Sequence, residues 1–231
     1  MASTDLDDLR REAAGRAVEL VRPGMVVGLG TGSTAVHATR FLGERLREGR
    51  VRDIFGVPTS DATAQVARQN GIPLTTLEEH PTLDLTIDGA DEVDPALNLI
   101  KGLGGALLRE KIVALASRHV LIVVDHTKRV ARLGERAPVP VEVVRFGWNG
   151  AKAHLESLGA RVVLRTGPGG GPFTTDEGHY VLDGHFGPIA DPFRLAAAIR
   201  SRAGVVEHGL FLAIATRVIV AAPGGIEELT R

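Results

Sequence analysis

Residues 25–34, Met-Val-Val-Gly-Leu-Gly-Thr-Gly-Ser-Thr, join a short apolar run to a loop with three glycines. Such a run predicts a buried strand. Helical periodicity follows from Ala35 to about Glu48. The order strand, glycine loop, helix is typical of parallel α/β sheets, where the loop presents backbone N–H groups to an anion.

The same alternation extends outward in both directions. Apolar residues from Leu6 to Val21 recur at helical spacing, with Ser3 or Thr4 as a candidate cap. The other strand and helix patterns of this half alternate, which predicts βαβ units and a parallel sheet. They are the strands Ile54–Val57, Leu83–Ile87 and Val120–Val124, and the helices Asp61–Gln69 and Gly105–Ser117.

The pattern changes after Lys128 to α+β character. Pro138–Val144 is a strand interrupted by proline, which suits a sheet edge. Arg217–Ala222 and Ile226–Leu229 return to the first pattern. We therefore predict an α/β catalytic domain of residues 1–133 and 207–231, with an inserted α+β domain of residues 134–206.

Composition excludes several classes of protein. The 231 residues carry 27 Lys and Arg against 28 Asp and Glu, so no basic field favours nucleic acid or an anionic membrane. The absence of cysteine excludes a thiol nucleophile and Cys-ligated metals. The acidic N-terminus does not resemble a signal peptide, and no apolar run approaches the ~18 residues of a membrane span. We expect a cytoplasmic protein.

The loop Gly28–Thr34 is the first candidate site. It does not match the dinucleotide fingerprint G-x-G-x-x-G, because Ser33 stands where the last glycine is required, and it lacks the lysine of a Walker loop. Its glycines and the hydroxyls of Thr31, Ser33 and Thr34 suit an anion. A tight turn with a Ser/Thr cap explains the loop equally well.

The second candidate is Asp88-Gly-Ala-Asp-Glu-Val-Asp94, directly after a predicted strand. Ligands of open α/β sheets bind at the carboxyl ends of strands. Asp88 and Asp91 could bind sugar hydroxyls, shuttle a proton or hold a divalent cation, although the spacing does not fit an EF-hand. The alternative is a solvated acidic turn.

The third candidate is Lys101–Lys111, in which a lysine and three glycines precede a helix. This arrangement suits an anion with a fixed cation. No face of the helix is fully polar, so Glu110 is predicted to be partly buried. Burial raises the pKa of a carboxyl toward that of a general base. The alternative is a salt bridge to a neighbouring Arg or Lys.

The fourth candidate is Asp125-His-Thr-Lys128, again after a strand. Lys128 could complete a phosphate site, or the segment could be a solvated turn. The eight histidines form no metal-ligand pair. Taken together, the four loops suggest a sugar-phosphate enzyme without a metal.

Several motifs occur in an order that resembles the ribose-5-phosphate isomerase family, type A. They are Gly28–Thr34, Thr59-Ser-Asp-Ala-Thr63, Ile87–Glu92, Ile100–Lys111, Asp125–Lys128, Pro138–Val143 and Gly209-Leu-Phe211. The resemblance implies a Rossmann-like, mostly parallel α/β domain with a smaller inserted ferredoxin-like domain. It also implies interconversion of D-ribose 5-phosphate and D-ribulose 5-phosphate through an enediol(ate), without cofactor or metal, by a homo-oligomer (dimer favoured, tetramer possible).

By motif position, the resemblance makes Glu110 the base between C2 and C1. It makes Asp88, Asp91 and Lys101 the groups that assist ring opening and proton transfer between oxygens. Some relatives carry Lys where this chain has Arg10. The implied substrate-binding residues are Gly30, Thr31, Gly32, Ser33, Thr34, Asp88, Gly89, Ala90, Asp91, Lys101, Gly102, Leu103, Gly104 and Lys128.

Two other classes of function share features with this sequence. Related folds serve as sugar-phosphate-sensing domains of transcription regulators, but a single predicted helix rich in aspartate precedes the first strand here. A CoA-transferase-like acyl enzyme would also use a glutamate. The lysine and paired aspartate loops favour sugar-phosphate chemistry over both.

Overall fold

The computed structural model describes residues 6–231, so the candidate caps Ser3 and Thr4 lie outside the described residues. Its helices are α1 (Leu6–Val18), α2 (Ala35–Arg47), α3 (Asp61–Gln69), α4 (Leu107–Leu115), α5 (Trp148–Ser157) and α6 (Pro192–Arg200). No helix in this range is long and apolar enough to cross a lipid bilayer.

The strands fall in three sheets. They are β1 (Val26–Leu29), β2 (Phe55–Pro58), β3 (Leu83–Asp88), β4 (Glu92–Val93), β5 (Leu99–Ile100), β6 (Ser117–Asp125), β7 (Val139–Val143), β8 (Arg161–Leu164), β9 (Tyr180–His185), β10 (Val205–His208), β11 (Leu210–Phe211), β12 (Arg217–Ala222) and β13 (Gly225–Thr230).

Packing divides the chain into two compact units. The first holds the described residues up to Ala90, with Arg109–Lys128 and Ala213–Arg231. The second holds Asp91–Leu108 and Arg129–Leu212. Residues 91–108 thus pack with the second unit, whereas the predicted catalytic domain includes them. Packing units are not folding domains, so the domain boundaries stay a prediction.

The first unit is built on a six-stranded sheet in the order β13-β12-β6-β3-β1-β2. All neighbours are parallel except β13, which returns antiparallel to β12. Leu9 and Ala13 of α1 and Leu42 of α2 are buried in one core with strand residues such as Val27. Full burial of each such Leu or Val stabilises the fold by about 1.5–3 kcal/mol. The predicted α/β class is confirmed.

The second unit carries an antiparallel sheet in the order β10-β7-β9-β8 and a small sheet in the order β11-β5-β4. Val141 of β7 is buried with Leu155 of α5 and Ile199 of α6. The helices therefore cover the sheet face that carries alternate residues of β7. The predicted smaller α+β part is confirmed.

The prediction that the proline-containing strand lies at an edge is wrong. β7 lies between β9 and β10, and Pro140 is inside it. The missing donor is tolerated because Pro140 pairs with Gly209, just beyond the end of β10. Gly209 N–H donates to the Pro140 carbonyl (2.7 Å), while the Gly209 carbonyl accepts from Lys101 N–H (2.9 Å). The lysine thus supplies the hydrogen bond that proline lacks.

Candidate active site

The first glycine loop packs tightly on the end of β3. Gly30 N–H donates to the Ile87 carbonyl (3.0 Å). A Cβ at position 30 would lie 2.2 Å from Asp88 Oδ1, so any side chain there would displace the Asp88 carboxylate. Gly30 is therefore required by the close approach of two strand ends.

Asp88 is the last residue of β3, and only 2% of it is exposed. Its Oδ1 accepts hydrogen bonds from the backbone N–H groups of Thr31 (3.2 Å) and Gly89 (2.7 Å). The glycine loop and the acidic loop therefore meet at this carboxylate, whose orientation both fix. Gly89 and Ala90 beside it are half-buried.

A cluster of hydroxyl groups lies beneath the first loop. Thr31 Oγ1 lies 2.7 Å from Thr59 Oγ1, 2.8 Å from Ser60 Oγ and 3.1 Å from Thr63 Oγ1. Thr63 also donates to the Gly30 carbonyl (3.0 Å). Ser60 caps α3 by accepting from Thr63 N–H (3.0 Å).

The cluster gives a structural role to residues that sequence reasoning left without one. The Gly30 carbonyl and the Thr31 hydroxyl are held in place by the side chains that follow the neighbouring strand β2, those of Thr59, Ser60 and Thr63. The signal was available, because their motif follows directly after the strand that pairs with β1. The Thr31 hydroxyl, predicted to face substrate, is engaged in this cluster.

The rest of the first loop is more open. Gly32, with φ +113°, and Ser33 are exposed. Thr34 is buried at the N-cap position of α2, but its side chain makes no capping hydrogen bond. The Thr34 hydroxyl therefore does not form the Ser/Thr cap that the alternative interpretation of this loop predicts.

The fourth motif contains a buried ion pair. Asp125 is fully buried and accepts from Arg10 Nε (3.0 Å) and Thr127 N–H (2.9 Å), and from the Thr127 hydroxyl. Burial opposes ionisation, but these hydrogen bonds and the Arg10 charge outweigh it, so the pKa of Asp125 lies below its usual value. Lys128 is half-buried in a short 3₁₀ helix, His126–Lys128.

In the second unit, Asp91 is joined to the loop Lys101–Gly105. Leu103 N–H donates to Asp91 Oδ2 (3.0 Å), and Asp91 N–H donates to the Ile100 carbonyl (2.8 Å). Gly102 has φ +105°, a conformation that favours glycine. The predicted Asp91 and the predicted backbone donors are thus coupled by a direct hydrogen bond.

Lys101 is only 3% exposed, and its Nζ lies 5.5 Å from the centroid of the Phe211 ring. A lysine over an aromatic face is stabilised by a cation–π interaction, more so when it is shielded from water. Gly209 is required nearby, since a Cβ there would lie 2.1 Å from the Lys101 carbonyl oxygen. These contacts explain the Gly209-Leu-Phe211 motif, whose role the sequence pattern alone does not indicate.

Glu110 lies in the first turn of α4 and is 4% exposed, deeper than the partial burial predicted. The adjacent Arg109 reaches outward to Asp61 (2.8 Å). Glu110, Asp88 and Lys128 belong to the first unit, and Asp91 and Lys101–Gly104 to the second. Among residues 6–231, no group of three or more His, Asp or Glu side chains is placed to hold a metal ion.

Comparison with known proteins identifies the family. The family model for ribose 5-phosphate isomerase A (phosphoriboisomerase A) matches residues 55–225. Ribose-5-phosphate isomerase A of Chloroflexus aurantiacus is 55% identical over 230 residues, covering 100% of this chain and 96% of the relative. That of Gloeobacter violaceus is 59% identical over 227 residues, covering 98% and 97%.

Solved structures agree along the whole chain. A D-ribose-5-phosphate isomerase in complex with phospho-erythronic acid superposes with TM-score 0.97 at 38% identity, covering 99% of this chain and 100% of that one. The ribose 5-phosphate isomerase A of Methanocaldococcus jannaschii gives TM-score 0.94 at 40% identity, covering 98% and 100%. The chain belongs to the ribose 5-phosphate isomerase A family.

Proposed function

We propose that this chain interconverts D-ribose 5-phosphate and D-ribulose 5-phosphate, with Glu110 as the base that carries the proton between C2 and C1. The activity follows from identities of 55–59% over nearly the full length of named isomerases. The assignment of residues is supported by one observation, the near-complete burial of Asp88, Lys101 and Glu110 at 2%, 3% and 4% exposure. The resemblance to the family assigns chemistry to these three positions, which distinguishes them from other buried carboxylates such as Glu142.

The reaction moves three protons to new atoms: one in ring opening, one from C2 to C1 and one from O2 to O1. The sugar ring opens, which moves a proton from the anomeric hydroxyl to the ring oxygen. A base then removes the C2 proton of the open aldehyde, which leaves an enediolate. The same base returns the proton to C1, while a proton moves from O2 to O1. A positioned carboxylate such as Glu110 accelerates such a transfer by roughly 10²–10⁴-fold.

The other charged residues are proposed to act on the oxygens. Lys101 stabilises the negative charge that develops on the enediolate, which is effective where water is excluded. Asp88 and Asp91 exchange protons with the sugar hydroxyls during ring opening and the O2-to-O1 transfer. Both carboxylates accept backbone N–H groups, which hold them in one orientation.

The substrate is proposed to contact Thr31–Thr34 of the first glycine loop, the backbone of Gly102–Gly104 in the second, and Lys128, which could complete a phosphate site. The exposed Ser33 hydroxyl is available in the first loop, and the second contributes backbone N–H groups of Gly102–Gly104. A related isomerase, 38% identical, is solved with phospho-erythronic acid. That compound carries both a phosphate and a carboxylate, and the planar carboxylate resembles an enediolate.

The test compares Glu110→Gln with Glu142→Gln, a matched control because Glu142 is also buried but lies outside the proposed machinery. We expect the wild type to convert ribose 5-phosphate to ribulose 5-phosphate. In Glu110→Gln, kcat should fall by about 10²–10⁴-fold with KM changed little, while Glu142→Gln keeps normal kinetics. Near-normal kcat in Glu110→Gln would remove Glu110 from the role of base.

We further propose that the chain acts in the cytoplasm as a homo-oligomer, with a dimer favoured over a tetramer. Self-association is supported by Ile112 and Leu115, two apolar residues that lie one turn apart on α4 with 46% and 68% exposure. Light scattering during gel filtration will give the mass, and a single-chain mass of 24.5 kDa would contradict the proposal.

A further inference from the structure

We propose that Arg165, held by Asp183, is a positioning residue that fixes the orientation of the Lys101–Gly104 loop and, through it, of Asp91. This inference rests on the proposed function, in which that loop and Asp91 serve the isomerase reaction. Neither Arg165 nor Asp183 belongs to any motif discussed above.

Arg165 is rigidly mounted. It follows β8, where its backbone N–H donates to the Val181 carbonyl (2.9 Å) and its carbonyl accepts from Phe173 N–H (2.8 Å). Its Nε and Nη2 donate to the two oxygens of Asp183, at 3.0 and 2.5 Å. The guanidinium is 5.7 Å from the Phe173 ring centroid, and the side chain is 12% exposed. A paired, stacked and largely buried guanidinium holds one position.

The remaining nitrogen of Arg165 contacts the loop. Nη1 donates to the carbonyl oxygens of Gly102 (2.9 Å) and Leu103 (3.0 Å). These two carbonyls belong to consecutive peptide groups. One side chain therefore fixes the rotation of two neighbouring peptide planes.

The orientation of a carbonyl determines the orientation of its N–H. Every peptide bond in the described part of the chain is trans, so each N–H points opposite to its carbonyl. The peptide that carries the Gly102 carbonyl also carries Leu103 N–H, which donates to Asp91 Oδ2 (3.0 Å). The next peptide carries the Leu103 carbonyl and Gly104 N–H, a predicted substrate donor. Arg165 thus directs both N–H groups away from itself.

Such a restraint is needed because glycine permits peptide rotation. Gly102 has φ +105°, and positions 104 and 105 are also glycine. Rotation of the Gly102–Leu103 peptide would withdraw the N–H from Asp91. The loop is also supported at Gly105, where a Cβ would lie 2.4 Å from the Phe173 ring, the ring that stacks on Arg165.

The experiment uses Arg165→Ala and Arg165→Lys, with Arg145→Ala as the matched control. Arg145 lies in the same unit, donates from Nε to the Gly178 carbonyl (2.6 Å) and stacks on the Tyr180 ring at 5.4 Å, but does not contact the glycine loop. Arg145→Ala therefore removes a hydrogen bond to a backbone carbonyl and a stacking contact elsewhere, although exposed Arg145 has no carboxylate partner in the described part of the chain.

We expect kcat of Arg165→Ala to fall about 30–100-fold, since a misplacement of ~1 Å can cost 10²-fold. KM should rise less than about fivefold, because the main effect is on Asp91 in the chemical step. Arg165→Lys should be equally impaired, because an ammonium does not reproduce the guanidinium fork. Arg145→Ala should stay within about twofold of wild type.

Chemical rescue separates positioning from stability. About 50 mM guanidinium, far below the molar concentrations that unfold proteins, should raise kcat of Arg165→Ala at least fivefold and leave Arg165→Lys, Arg145→Ala and wild type unchanged. Circular dichroism and thermal melting will verify that each variant is folded. A folded Arg165→Ala that guanidinium does not activate, or one as active as Arg145→Ala, would overturn the proposal.

If Arg165→Ala does not fold, Asp183→Asn carries the test. It keeps Arg165 but replaces one of the two accepting carboxylate oxygens with an amide NH₂, which cannot accept, so kcat should fall about 3–10-fold. Wild-type kinetics in Asp183→Asn would overturn the positioning role. An inactive wild type would instead contradict the proposed function, so the two failures are distinguishable.

Discussion

Two buried glutamates of the second unit show that burial alone does not determine how much a charged side chain stabilises the fold. Glu92 and Glu142 are each 1% exposed. The Glu92 carboxylate accepts from the N–H groups of Gly134, Arg136 and Ala137 at 2.6–2.7 Å. Glu142 Oε1 accepts from Thr175 and His179, but within residues 6–231 its Oε2 has no hydrogen-bond partner.

The two sites therefore predict different responses to the same substitution. Glu92→Gln places an amide NH₂ against backbone donors and should lower the free energy of unfolding by about 2–4 kcal/mol. Glu142→Gln keeps the oxygen that accepts both hydrogen bonds and should change it by less than about 1 kcal/mol. Urea unfolding at pH 7 measures both. Equal losses would contradict the hydrogen-bond account.

Asp125 predicts a pH dependence of stability. Hydrogen bonds and the Arg10 charge lower the pKa of Asp125 in the folded protein. The stabilisation is therefore complete above the ordinary aspartate pKa of about 3.9 and is lost as pH falls through the lower folded value. Asp125→Asn should lose about 2–3 kcal/mol at pH 7, and this difference should shrink below pH ~4.

The control for this prediction is Glu156→Gln, which removes a surface pair with Lys152 at 3.6 Å. An exposed pair of this kind contributes about 0.5 kcal/mol or less. Urea unfolding at several pH values will compare the variants. A deficit in Asp125→Asn that is the same at pH 3 and pH 7 would contradict the assignment.

Sequence patterns indicate most candidate residues but not the residues that hold them in position. Asp88 and Lys101 stand out because they adjoin glycine loops at predicted strand ends. Glu110 stands out because its helix has no fully polar face, but its role as base is implied only by the resemblance to the family. Arg165 and Asp183 give no such signal, because each is an ordinary charged residue of a short strand region. Their importance comes from a contact between residues 62 and 63 positions apart in the chain, which local patterns do not contain.

At the scale of elements, the ends of β1, β2 and β3 form one interlocked group. The loop after β1 contacts the Asp88 carboxylate of β3 and the hydroxyls that follow β2. Parallel strands bring these three ends to the same edge of the sheet. A change in one loop is therefore transmitted to the others.

This interlocking predicts the effect of Gly30→Ala. The new methyl group would meet Asp88 Oδ1 at 2.2 Å and its Cα at 2.6 Å, so both the carboxylate and the backbone at the end of β3 must move. We expect kcat/KM to fall by about 10²-fold, and the melting temperature should also fall because the backbone of β3 is displaced. Gly171→Ala is the control, since a Cβ there has no atom within 4 Å. Wild-type kinetics in Gly30→Ala would contradict the proposed role of Asp88.

Several helices and strands of the first unit can be predicted from the sequence, because their apolar residues are periodic or continuous. The helix Asp61–Gln69 agrees with its prediction at both ends, and Val120–Val124 lies within the longer β6. The order in which strands pair within a sheet is less predictable. The position of β7 inside its sheet depends on Lys101 supplying a donor to Gly209, a contact with a distant segment.

At the scale of the molecule, the chain passes between the two packing units four times. Residues 91–108 were assigned to the α/β domain because their motifs continue a strand–loop–helix pattern. They pack with the second unit because β4 pairs with β5 and β5 pairs with β11, and neither joins the parallel sheet. Two of the crossings fall inside motifs, between Ala90 and Asp91 and between Leu108 and Arg109.

The whole enzyme is predicted to work without a metal ion. The proposed chemistry assigns proton transfer to Glu110, Asp88 and Asp91, and charge stabilisation to Lys101, which is the task a metal would otherwise perform. Dialysis against excess EDTA should therefore leave kcat/KM of the wild type within about twofold, and added Mg²⁺ or Mn²⁺ should not raise it. A loss of activity that a divalent cation restores would show that Lys101 does not carry this charge alone, because the enediolate would then need a second positive group.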